Sequence, residues 1–144
     1  EPNSFIDLFN CIHLNNVDIT PMLMPLESKR NTNFFNIANR FNSGDSGHVF
    51  GNKLTSKLHY GICSESIDNL VKDKIILVPD YIKIDVDGNE LDIINGFKKT
   101  VKEVKDVSLL VETRTLTHNK VEDELKRLGF KKARQVNSNS IGTK

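Results

Sequence analysis

The sequence predicts an α/β fold in which helices pack on a mostly parallel sheet, and three observations carry that expectation. From Tyr81 onward, strand-like and helix-like runs alternate: "YIKIDV", "NELDIINGF", "DVSLLVETR", "THNKVEDELKRLGF" and "FKKARQV". Such alternation implies crossover connections and parallel pairing. The first and third runs are apolar at successive positions, as strands covered on both faces are. Both end in acids, Asp85 and Glu112. In open α/β sheets, ligands sit beyond the carboxyl ends of the strands. Topology alone therefore assigns Asp85 and Glu112 to a binding edge.

The elements follow in order. Residues 3–15 read as a helix, with Phe5, Leu8, Phe9 and Ile12 at helical spacing and Asn3 or Ser4 as its cap. "ITPMLMPL", residues 19–26, is a short apolar run with prolines near both ends, so a buried strand is expected. "NFFNI", residues 33–37, reads as another strand, and residues 38–52, with Gly44, Gly47 and Gly51, as a loop. "KLTSKLHYGIC" is strand-like with weak periodicity, and "SESIDNL" leads into a helical turn. In "NELDIINGF", Leu91, Ile94 and Phe97 share one helical face. In the next helix Val121, Leu125 and Leu128 point inward and Gly129 stops it. "FKKARQV" is the last strand candidate.

Bulk properties narrow the function. A chain of 144 residues with 38% hydrophobic content fits one domain, residues 1–144. Charged residues make up 27%, yet the formal net charge is only +1, which argues against a dedicated nucleic-acid binder. No run approaches the ~20 apolar residues that span a bilayer. The opening "EPNSF" has neither the basic region nor the apolar run of a secretory signal. Cys11 and Cys63 form no CxxC spacing and fit a reducing, cytoplasmic setting.

The acids after "YIKI" need a reason. A calcium loop fails in either register: with Asp85 first, the glycine comes two positions early, and with Gly88 sixth, Lys83 falls first and Ile94 twelfth. A local role suits two of the acids. Asp87 can cap the next helix, Glu90 can complete a capping box, and Gly88 can supply the turn. Asp85 has no such partner. Lys83 lies on the same side of the strand and can pair with an acid. "GDSG", residues 44–47, resembles the nucleophile motif of chymotrypsin-like proteases, but the required upstream residues are missing, so a polar loop is expected. His13, His48, His59 and His118 show no metal spacing, and no GxGxxG or Walker-type loop occurs.

Taken together, the motifs resemble one family. "YIKIDVDGNELDIINGF" is similar to the IKIDVEG-x-E signature of the FkbM family of S-adenosylmethionine-dependent methyltransferases. Other segments fall in that family's order: "EPNSFIDLFNCIHLNN", "MLMPLESKRNTNFFNI", "ESIDNL" (with Ser66 and Ile67 for Thr and Leu), "SLLVET" and "ELKRLGF". The resemblance implies a Rossmann-like class I methyltransferase sheet. On that pattern the first strand with its glycine-rich loop would precede Glu1. The last strand, antiparallel, would follow Lys144, so a partial domain lacking both is expected.

By the same resemblance, Glu1 would accept from the ribose hydroxyls of S-adenosylmethionine, and Pro25 and Leu26 would pass its adenine ring. Asp85 would stand beside the methyl group, with Asp87 and Glu90 on the same loop as further catalytic candidates. Asp85 would act as base, hold a hydroxyl in line, or ligate a divalent metal ion with Asp87, Glu90 or Glu112. The implied activity is O-methylation of a hydroxyl on a small molecule or saccharide. The alternatives are a noncatalytic methyltransferase-like binding module and a metal- or sugar-binding domain. Neither nucleic acid nor membrane is an expected partner, and the oligomeric state is left open.

Overall fold

A computed structural model describes residues 2–38, 48–104, 106–136 and 139–143, by backbone alone from 133 onward. The chain divides into two compact units, Glu1–Pro25 with Asn31–Ser64, and Leu26–Arg30 with Glu65–Lys144.

The first unit holds helix α1 (Pro2–Asn15) and strands β1 (Asn31–Asn36), β2 (Val49–Gly51) and β3 (His59–Ser64), in the order β2-β1-β3, all antiparallel. Its centre is a polar anchor. The buried Asn36 amide donates to the carbonyls of Val49 (3.1 Å) and Lys53 (3.0 Å) and accepts from the amides of Thr55 (2.9 Å) and Ser56 (3.3 Å). Four bonds to one side chain tie the loop after β2 to β1, and they satisfy a group that burial would otherwise penalise. Phe35 stacks on Tyr60, with ring centroids 5.4 Å apart.

Two expectations fail in this unit. The run 19–26 is not a buried strand: Ile19, Met22 and Leu23 are exposed, and Leu26 alone makes a bridge, to Glu65. Pro21 and Pro25 lack the N–H that a central strand must donate. Helix α1 forms, but it starts at Pro2, so Asn3 and Ser4 lie within it and do not occupy the cap position, and it buries none of its residues, Leu8 and Phe9 being exposed. Strand β2 was not foreseen, being only three residues long at the edge of a loop. Residues 44–47, the "GDSG" segment, lie outside the described residues.

The second unit carries the alternation that the sequence announces. Its elements are α2 (Ile67–Lys72), β4 (Tyr81–Ile84), α3 (Glu90–Asn95), α4 (Lys98–Glu103), β5 (Ser108–Glu112), α5 (His118–Arg127), β6 (Lys131–Val136) and β7 (Asn139–Thr143). The sheet order is β4-β5-β7-β6, with β4 and β5 parallel. Ile84 lies opposite Val111 in that pairing. The core is built from this unit's inward positions: Ile84, Ile93, Ile94, Phe97, Val101, Leu109, Val111, Val121, Leu125 and Leu128. Of the faces read from helical spacing, Val121, Leu125, Leu128, Ile94 and Phe97 are buried, whereas Leu91 is half-buried and Ile93 is buried in addition. Gly129 adopts φ +90°, the left-handed conformation that ends α5.

Side chains fasten the helix ends. Ser66 caps α2, its hydroxyl accepting from the Asn69 amide at 3.2 Å. No side chain of its own caps α4, and Asp68 from α2 does so instead. The Asp68 carboxylate accepts from the amides of Lys99 (3.1 Å) and Thr100 (2.7 Å) and from the Thr100 hydroxyl (2.8 Å). An acid at a helix N-terminus satisfies otherwise unpaired amides and favours the helix dipole.

The expected sheet needs correction on two points. It is not mostly parallel: among the described strands only β4 and β5 pair in parallel, and β7 runs antiparallel to both neighbours. The reason is chain length, because β6 and β7 are separated by two residues, too few for a crossover. The antiparallel closing strand expected beyond Lys144 is also within the chain. Strand β7 inserts between β5 and β6, and its polar sequence "NSIGT" gives no alternating pattern to announce it.

Candidate active site

Parallel pairing of β4 and β5 brings both carboxyl ends to one edge. There a cleft of about 320 Å³ opens. Asp85, Val86 and Asp87 line it from the chain leaving β4, and Glu90 from the first turn of α3. Glu112 lines it from the end of β5, followed by Thr113, Arg114 and Thr115. All eight residues belong to the second unit.

The acids have separated into distinct environments. Lys83, two residues before Asp85 and on the same strand face, bonds it at 2.6 Å. That contact holds the Asp85 carboxyl below the ordinary carboxylate range, and a hydrogen bond from Glu112 adds to it. Asp85 in turn pushes the Glu112 carboxyl up, first through that hydrogen bond and then through its charge. The pair therefore titrates together, with Asp85 the stronger acid and Glu112 the weaker. Asp87 pairs with Arg114 at 2.5 Å.

Glu90 is the unusual member. It is 1 % exposed, and its Oε1 accepts from the Gly88 amide at 3.0 Å. Its Oε2 is buried with no hydrogen-bond partner. A buried carboxylate oxygen without a donor carries a desolvation penalty that a bound donor would relieve. The capping box expected from Asp87 and Glu90 does not form. Asn89 occupies the N-cap position, without a side-chain bond, and Glu90 is already the first helical residue. Gly88 does supply the turn, at φ +108°.

Of the residues singled out in the sequence, Asp85, Asp87, Glu90 and Glu112 meet in this cleft. Leu26 packs against the second unit's core and is not a cleft residue. Pro25 belongs to the first unit, and Glu1 lies outside the described residues. Among the described residues no group of three His, Cys, Asp or Glu side chains is arranged to hold a metal ion. The paired Asp85 and Glu112 do not amount to the six or more oxygens that calcium takes, or the octahedron that magnesium demands. Sequence reading missed Thr113, Arg114 and His118. The first two follow directly on a strand end already assigned to the binding edge, and that position was the available signal.

The opposed shifts have a measurable consequence. Because the Glu112 pKa is raised, the stability it contributes is complete below its ordinary value of 4.5 and is lost as pH rises through the raised one. Asp85 contributes in the opposite sense: its stabilisation is present above 3.8 and is lost as pH falls through its depressed value. Glu112→Gln is therefore expected to gain stability relative to wild type as pH rises from mildly acidic to neutral. Urea midpoints measured across that range check it, and a pH-independent difference between the two proteins would contradict the raised Glu112 pKa.

Among the described residues no helix is long and apolar enough to cross a membrane. No curated protein and no solved structure matches the chain. A family model, the methyltransferase FkbM domain, matches residues 4–132, a span that contains both units' strands through β5, the acidic cleft and helix α5. With that match over most of its length and the acids of its signature gathered at one sheet edge, the chain belongs to the FkbM methyltransferase domain family.

Proposed function

We propose that the protein transfers a methyl group from S-adenosylmethionine to a hydroxyl of a small molecule or saccharide. The observation that carries this reading is the unpartnered, buried Glu90 Oε2 in a cleft whose other acids are Asp85, Asp87 and Glu112. Hydrogen-bond acceptors and negative charge exceed donors there, since Arg114 is already engaged by Asp87. Such a lining suits a ligand that brings positive charge and N–H or O–H donors. S-adenosylmethionine, with its sulfonium and ammonium groups, is such a ligand, and it supplies an electrophilic methyl carbon.

Asp85, Asp87 and Glu90 are the residues that would face the cofactor's positive charge and the acceptor. Held ionised by Lys83, Asp85 is suited to orienting a hydroxyl as a hydrogen-bond acceptor. Its depressed pKa makes it a weak base, so in this reading it positions the acceptor. The exposed thiols of Cys11 and Cys63 fit a cytoplasmic compartment.

Calorimetric titration with S-adenosylmethionine and with S-adenosylhomocysteine tests the reading. Both are expected to bind. Glu90→Gln removes one negative charge at nearly constant shape, so it should weaken the cationic sulfonium ligand more than the neutral thioether. Absence of heat with either ligand would overturn the proposal.

A further inference from the structure

We propose that the methyl acceptor carries an ammonium group beside its hydroxyl, and that Glu112 and Glu90 hold this ammonium while Asp85 orients the hydroxyl. The substrate class is a small amino alcohol, amino sugars included. The proposal rests on the methyl-transfer reading and names its acceptor more closely. Four carboxylates line the cleft, those of Asp85, Asp87, Glu90 and Glu112. Two cations offset them, Lys83 on Asp85 and Arg114 on Asp87. The amino-acid end of S-adenosylmethionine carries an ammonium and a carboxylate, so its sulfonium alone brings net charge. With all four acids ionised, one negative charge is left over, and a single positive charge on the acceptor offsets it.

The strand register sets the spacing. Ile84 lies opposite Val111 in the parallel pair. The next residues along, Asp85 and Glu112, therefore fall side by side at the roughly 5 Å spacing of neighbouring strands. Side-by-side carboxylates suit a hydroxyl and an ammonium on adjacent carbons. Among the described residues the ion pairs of the cleft are Lys83–Asp85 and Arg114–Asp87, and neither reaches Glu112 or Glu90. The crowding of like charges shows on Glu112, whose carboxyl is pushed up by its bond to Asp85 and by the Asp85 charge. The wall after Glu112 is fastened: Thr113 is buried, and its Oγ1 lies 2.8 Å from His118 Nδ1.

Glu90 points independently to a ligand that donates. It is 1 % exposed, and its Oε2 has no hydrogen-bond partner. A sulfonium has no N–H or O–H to offer that oxygen, whereas an ammonium has three N–H donors. Ionised carboxylates only accept, so the same lining disfavours acceptors that bear carboxylate or phosphate groups. At about 320 Å³ the cleft is at the small end for ligand sites, which start near about 300 Å³, and this limits the acceptor to a small molecule. The ammonium stays protonated between its acids, and the hydroxyl beside it receives the methyl group. A charge-assisted bond to a partly exposed acid separates an amine from its neutral analogue by about 10-fold in affinity.

Calorimetry in the presence of S-adenosylhomocysteine tests this with matched pairs: glucosamine against glucose, galactosamine against galactose, and ethanolamine against ethylene glycol. Each amine is expected to bind about 10-fold or more tighter than its neutral partner, with the preference shrinking at high salt. Glu112→Gln should abolish the preference and leave the neutral compounds unaffected, whereas Glu112→Asp, which keeps the charge, should retain part of it. Glu112 is an exposed strand-end residue, so both variants are expected to fold. Amines that bind no tighter than their neutral partners, or give no heat at all, overturn the proposal. So does a preference unchanged in Glu112→Gln, or one that magnesium chloride abolishes by taking the same acids. If S-adenosylhomocysteine itself gives no heat, the methyl-transfer reading fails, and the same pairs titrated without it still decide the ammonium site.

Discussion

Gly96→Ala is expected to destabilise the protein by about 3 kcal/mol or more, at the upper end for overpacking a filled interior. A Cβ built on Gly96 would lie 2.1 Å from the carbonyl oxygen of Glu27, 3.1 Å from its carbonyl carbon and 3.2 Å from the Ile93 carbonyl oxygen. These are backbone atoms, with no flexible end that can swing away. The Glu27 segment is itself pinned. Its amide donates to the Glu65 carbonyl at 2.9 Å, and the next amide, of Ser28, donates to the Asp92 carboxylate at 3.0 Å.

Glu65, buried beside them, accepts from Arg30 Nε at 2.6 Å, from Asn69 at 2.7 Å and from the Ser66 amide at 2.9 Å. Burial alone would push its carboxyl up, but these bonds together hold it below the ordinary range, so it stays ionised and in place. On the other side, the Gly96 carbonyl accepts from the Asp68 amide at 2.8 Å. Moving either backbone breaks bonds on both. The effect is steric and not conformational, because Gly96 has φ −80°, open to any residue. Urea denaturation checks the expectation, and a midpoint shift equivalent to less than about 0.5 kcal/mol, the scale of an inconsequential surface change, would contradict it.

Nothing in "INGFKK" tells a reader that Gly96 touches Glu27, almost 70 positions earlier in the chain at 69 residues. That contrast runs through the whole molecule. The second unit was legible where local pattern and tertiary demand agree. Val121, Leu125 and Leu128 sit at helical spacing and are buried, Gly129 ends their helix, and "YIKI" and "SLLVE" pair in parallel. The first unit was less legible because its order rests on polar bonds that periodicity does not encode, such as those of Asn36. The run 19–26 is apolar in composition, but its prolines forbid the ladder that would bury it.

The site divides in the same way. That acids gather at the strand ends followed from topology, and Lys83 beside Asp85 followed from the period of two along a strand. The burial of Glu90 did not, because an acid after a D-G turn has an ordinary capping role in most settings. The Thr113–His118 contact did not either, because five residues separate the pair across the end of a strand and the start of a helix.

Asp85→Asn is expected to lower methyl transfer about 100-fold or more while the fold is retained. The side chain is about half exposed and packs in no core, so its replacement by an isosteric amide leaves the sheet intact. What changes is charge. A carboxylate presents only acceptors to a substrate hydroxyl, whereas an amide presents one acceptor and one donor group and can be turned either way. The substitution also releases Lys83, whose pKa is raised first by its hydrogen bond to Asp85, and removes the acid that pushes the Glu112 carboxyl up. One change thus alters three charged groups at the mouth of the cleft. Lys83→Met separates these contributions. It leaves the Asp85 carboxylate in place but removes the cation that depresses it, so Asp85 becomes a somewhat better base and a less firmly held one. If Asp85 orients the acceptor as an ionised group, Lys83→Met costs far less activity than Asp85→Asn. If the Lys83 ammonium were the essential group, the two variants would fall together. Circular dichroism and urea midpoints confirm that each variant folds, and initial rates of S-adenosylhomocysteine release compare them. An Asp85→Asn protein that keeps near wild-type rates would remove Asp85 from the chemistry and leave Glu90 as the acid to test next.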